Sequence, residues 1–222
     1  MELKSMRKED SQQEAILNDF LLENFFQKMN PSARLVSDKE TQIAGADIQQ
    51  DTRDGKTVNI DIKAQSSAKY INNPRPTFVL ELSSLSKWNE PFIGWFLNPD
   101  LITDYYTFVW VLEADVDEKG HIHDKSDVHK VEVMTVHKAR LKEYIMSLLD
   151  EDELDSTIRY MRDAEETFQP LTRGVHFSHT PTLWEKPVNL VVHKNVLKQF
   201  AVSHRIVTPD GMTVIGKNRY HR

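Results

Sequence analysis

The chain has 222 residues, with 28 Lys and Arg against 34 Asp and Glu, a formal charge of −6 and no cysteine. That length suits one sizeable domain, or a core with an appended piece, because single hydrophobic cores stop growing near ~250–300 residues. The missing cysteines exclude disulfide scaffolds, thiolate zinc sites, iron–sulfur ligation and thiol nucleophiles, so any metal falls to carboxylates and nine histidines. The acidic balance gives no blanket attraction to nucleic acid. Met1 to Ser11 is charged, and no run approaches the ~18–20 apolar residues of a spanning helix, so the expectation is a cytoplasmic protein without a membrane segment.

In chain order, Leu17, Phe20, Leu21, Phe25 and Met29 recur at spacings of three and four, which predicts an amphipathic helix over 11–29 that Pro31 stops. Strands are expected at 33–36 and 46–50. The clearest alternation runs over 56–65 after the turn residues Asp54 and Gly55. There Val58, Ile60, Ile62 and Ala64 point one way and Asn59, Asp61, Lys63 and Gln65 the other. Further strands are read at 77–82 and 105–112, with a short helix opened by Asn98-Pro99-Asp100 just before the latter.

In the second half, 131–135 reads as a strand and 136–149 as a helix. The acidic run Asp150 to Asp155 reads as a solvated helix start, since negative charge complements a helix N-terminus. Two more strands, 187–193 and 203–208, flank a helical turn at 195–200. The order of elements argues an α/β or α+β architecture about one central sheet.

The stretch that can carry chemistry is Gly45-Ala46-Asp47, followed 14 residues after Asp47 by Asp61-Ile62-Lys63. Two carboxylates converging from neighbouring strands suit an oxygen-loving Mg²⁺ or Mn²⁺, and a lysine beside them can orient or deprotonate water or steady charge at phosphorus. At these residues the sequence resembles the PD-(D/E)xK nuclease superfamily, which includes restriction endonucleases and Holliday junction resolvases. The resemblance covers about the first half of the chain and departs from the commonest pattern in having Ala46 before the first Asp.

The resemblance implies a restriction endonuclease-like core with a central mixed sheet flanked by helices, over 1–115. Residues 116–222 would be a C-terminal α+β elaboration packed on it as one compact unit. It implies a metal-dependent nuclease hydrolysing DNA: Asp47 and Asp61 as Mg²⁺ (or Mn²⁺) ligands, Lys63 positioning water, Gln65 tuning the site, and a helical glutamate, Glu14 or less well Glu23, supplementing it. Many such enzymes cut two strands as dimers, which leaves a homodimer open. The alternative is a catalytically inactive nuclease-fold module that binds nucleic acid or protein.

Other signals read more plainly. His176 and His179 have H-x-x-H spacing but lie in a loop or strand, and His121 and His123 sit at a loop tip, so all four are taken as surface or hydrogen-bonded histidines. Ser83, Ser84 and Ser86 lack the glycines of a nucleophile elbow. The aromatics of 88–110 could offer a base-stacking platform, but alternate residues of 105–112 are expected to fill the core against the first helix. Charge is uneven: −6 over 1–115, −6 over 116–185 and +6 over 186–222. Lys194, Lys198, Arg205, Lys217, Arg219 and Arg222 would make a phosphate-contacting edge or tail.

Overall fold

The computed structural model describes residues 6–216, and the chain is a mixed α/β protein with two sheets. It begins with α1 (Met6–Leu21), continues through a π-helical turn (Leu22–Phe26) into α2 (Gln27–Met29), and then gives β1 (Arg34–Leu35) and α3 (Lys39–Ile43). The strands β2 (Ile48–Asp51), β3 (Thr57–Ala64), β4 (Thr77–Leu85), β5 (Pro91–Ile93), β6 (Tyr105–Ala114) and β7 (Val128–His137) follow. After α4 (Lys138–Met146) and α5 (Glu151–Asp163) come β8 (Phe168–Thr172), β9 (Val175–His179), β10 (Val188–His193), α6 (Lys194–Leu197), β11 (Ala201–Thr208) and β12 (Gly211–Val214).

These elements form two compact units that interleave along the chain: 1–75, 102–137 and 201–222 in the first, 76–101 and 138–200 in the second. The first holds a seven-stranded sheet of order β1-β2-β3-β6-β7-β11-β12. All its pairings are antiparallel except β3 with β6. A parallel pair needs a long crossover, and most of this one, 76–101, belongs to the second unit. That unit holds the antiparallel sheet β5-β4-β10-β9-β8, with α5 against β10.

The core of the first unit is built as the alternation predicts. Leu17, Phe20, Leu21, Phe25 and Phe26 from the helix pack with Ile48, Ile60, Ile62, Val109, Val111, Val131, Val133 and Val207. Met29, expected on the same stripe, is instead exposed. The π turn adds a residue to one turn and rotates the following face, so that Asn24, Phe25 and Phe26 are the buried ones. Alternate residues of β6 do fill this core, but apart from the half-buried Tyr105 they are not the aromatic ones. Val109 and Val111 face the helix, whereas Tyr106, Phe108 and Trp110 alternate to the other face of β6, in register with Asp61 and Lys63, and are fully buried.

No helix forms at Asn98-Pro99-Asp100: Asn98 Oδ1 accepts the Asp100 N–H, and the cap signal closes a local turn instead. The acidic run does start a helix, with Asp150 as N-cap and Glu153 completing a capping box. No helix among the described residues is long and apolar enough to cross a membrane.

One buried amide ties α1 to the rest of its unit. Gln13 Nε2 donates to Ile122 O at 2.7 Å and its Oε1 accepts the Ile122 N–H at 2.8 Å. Gln13→Ala strands both backbone groups away from water and is expected to lower stability by about 2–4 kcal/mol. Urea denaturation checks this, and a loss below ~0.5 kcal/mol, the range of ordinary surface changes, contradicts it.

Candidate active site

Asp47 is positioned by the end of a strand pairing. Gly45 adopts φ +90°, open to a residue without a side chain, and its carbonyl accepts the Thr103 hydroxyl at 2.6 Å. The ladder of β2 with β3 runs from Asp51–Thr57 to Ile48–Ile60, and Asp47 N–H still donates to Ile60 O at 2.9 Å. One step further the backbone partner is gone, and Asp47 Oδ2 takes the Ile62 N–H at 2.7 Å. The carboxylate therefore folds back over β3 on the face that carries Asp61.

Asp61 is 5% exposed, and its Oδ2 lies 2.9 Å from Lys63 Nζ, whose side chain is 28% exposed. Its carboxyl is pushed up to about 7, by burial first, against the Lys63 charge and with the Asp47 carboxylate alongside. Lys63 moves in the same direction: burial opposes its charge, but Asp61, Asp47 and Glu14 together hold the ammonium above its ordinary value. Burial thus works against both charges, and the neighbouring carboxylates outweigh it only at the ammonium. In the parallel register Asp61 faces Tyr106, whose phenol is raised by burial and by the Asp61 charge and stays protonated. Tyr106 is the site neighbour that sequence reasoning missed, because a parallel register across a long crossover leaves no local pattern.

The remaining site residues sort as follows. Glu14, exposed on α1, acts on Lys63 through its charge. Glu23 is engaged elsewhere by Lys125, which lowers its pKa. The Gln65 amide is bonded at both ends to one residue: Nε2 donates to Arg75 O at 3.0 Å and Oε1 accepts the Arg75 N–H at 2.8 Å. It holds a loop backbone beside the site. Lys194 and Lys198 belong to the second unit and Arg205 to the first, whereas Lys217, Arg219 and Arg222 lie outside the described residues.

His176 and His179 lie on β9, where a spacing of three puts them on opposite faces, and His179 is buried. His123 pairs with Asp117. Ser83 accepts from Arg162 at 2.8 Å and donates to Phe92 O at 3.0 Å.

Among the described residues no three His, Asp or Glu side chains gather as a metal cage. The pair Asp47 and Asp61 nonetheless fits a hard divalent cation as a donor set: two oxygen ligands side by side, one of them buried and destabilised as an anion. A cation that keeps several waters needs only one or two carboxylates from the protein. No protein-family profile, curated protein or solved structure matches the chain.

Proposed function

We propose that the chain is a metal-dependent nuclease that hydrolyses DNA phosphodiester bonds, with a PD-(D/E)xK, restriction endonuclease-like core in its first unit. The observation that carries this reading is the meeting of Asp47, Asp61 and Lys63 on one face of the sheet, within the electrostatic reach of Glu14. The helix-first order, with two strands, β1 and β2, leading antiparallel into the Asp-x-Lys strand β3, supports it.

Mg²⁺ or Mn²⁺, when bound, supplies a Lewis acid at the phosphate and a water of lowered pKa. Asp47 and Asp61 would hold it, Asp61 giving up its proton as it binds. Lys63 has two roles open to it by residue type alone. Its ammonium, kept protonated by three carboxylates, suits one of them: steadying the negative charge that builds on the phosphate oxygens and orienting the water, not taking its proton. Glu14 contributes to that hold on the ammonium. Gln65 acts one step away, by fixing the backbone of Arg75.

The test is nicking of supercoiled and branched DNA with Mg²⁺ or Mn²⁺, comparing wild type with Asp61→Ala and Lys63→Ala. Cleavage by wild type that is lost in both variants is expected. Activity that persists in both removes the site. Absence of cleavage on any substrate, together with absence of metal uptake by calorimetry, favours the inactive binding module.

A further inference from the structure

The loop 66–75 that leaves the Asp-x-Lys strand carries two cations on one ring. Lys69 Nζ lies 4.7 Å from the centroid of Tyr70, and the Arg75 guanidinium carbon lies 5.4 Å from it. Among the described residues neither cation forms an ion pair. The loop that packs against Ala68 at Gly120 carries Asp117, but that carboxylate is occupied by the Lys119 and His121 N–H groups and the His123 ring. Two like charges drawn to one aromatic ring make a doubly positive spot on a chain of net charge −6.

The spot is held in place. Ser66 and Ile71 are buried. Asn72, at φ +64°, donates from Nδ2 to Ala114 O at 2.9 Å and accepts the Ala114 N–H at 2.7 Å, filling the irregularity at the end of β6. The Arg75 carbonyl accepts both Gln65 Nε2 and Trp110 Nε1, the latter at 2.8 Å. Gln65 stands two residues beyond Lys63, about 7 Å along the strand. The backbone that carries the two cations is thus tied to the strand of Lys63 through Gln65, which suits them to a polyanion that enters the carboxylate site.

We propose that Lys69 and Arg75, gathered on Tyr70, form a phosphate-binding fork for the nucleic-acid strand on which the Asp47–Asp61–Lys63 site acts. This rests on the nuclease reading for the identity of the ligand, but its test does not require cleavage. The fork contacts backbone phosphates, so it sets affinity and position, not sequence preference.

The experiment is fluorescence anisotropy of a labelled DNA duplex with the full chain in EDTA, from about 50 to 200 mM salt, for wild type, Lys69→Ala/Arg75→Ala and Tyr70→Phe. Loss of two phosphate contacts flattens the dependence of log K on log salt by about 1.8, so wild type should lose roughly 12-fold more affinity than the double variant across that range. Tyr70→Phe, which keeps the ring, should follow wild type. Equal salt slopes for wild type and the double variant overturn the fork, as does a wild type that binds no DNA. Binding with the expected slopes but no cleavage under Mg²⁺ keeps the fork and sinks the nuclease reading instead.

Discussion

Lys63→Ala is expected to slow Mg²⁺-dependent DNA cleavage by about 10²–10³-fold while leaving metal uptake in place, as removal of one fixed donor at a developing anion does. Asp61→Ala is expected to remove both, with metal affinity down by at least ~100-fold, since even residues that only support a ligand cost 10–100-fold. The split follows from the geometry. On the proposed reading Asp61 would present oxygen to the cation, whereas Lys63 reaches the site only as a charge 2.9 Å from Asp61. Single-turnover cleavage paired with calorimetry separates the two effects. Equal losses of metal affinity in both variants would mean that Lys63 merely props up Asp61.

The second large effect needs no substrate. In the folded protein the Asp61 pKa is pushed up to about 7 from an ordinary 3.8, with burial as the leading cause. Between those values the folded protein binds the extra proton and the unfolded chain does not, so stability contributed by the neutral carboxyl is full below about pH 4. It is lost as pH rises through 7. The slope is about 1.4 kcal/mol per pH unit at most, and the whole window amounts to a few kcal/mol. Asp61→Asn keeps the shape without the titration. In EDTA, the stability of Asp61→Asn minus that of wild type should therefore rise between pH 4 and 7 and level off above. Parallel curves would show that Asp61 is not held as a destabilised anion.

How much of this was legible in the sequence depends on the range of each interaction. The helix stripe from Leu17 to Phe25 and the alternation through Asp61 and Lys63 are local periodicities, and both appear in the structure where they were expected, although β3 ends at Ala64, one residue short of Gln65. Met29 falls off the stripe because a π turn changes the period mid-helix, and single-residue spacing carries no warning of it. The place of Asp47 beside Asp61 was open, since hairpin spacing allows several registers; the Ile62 N–H settles it.

Tyr106 could not be found, because its register with Asp61 is parallel and separated by the whole 65–104 crossover. Nor could the interleaving of the units. β4 and β10 pair across about a hundred residues, and each reads locally as an ordinary apolar strand. The β8–β9 hairpin turns at Gly174 with φ +86°, a glycine that as a sequence signal marks only a boundary.

On the proposed reading Asp47 and Asp61 together hold one divalent cation. Calorimetric titration of the metal-free chain with Mn²⁺ near pH 8, where Asp61 is ionised, tests it most directly. One site is expected in wild type, lost in Asp47→Asn and in Asp61→Asn and retained in Lys69→Ala/Arg75→Ala. Wild-type chain that takes up no Mn²⁺, or Asp47→Asn and Asp61→Asn chains that take it up as wild type does, would contradict it.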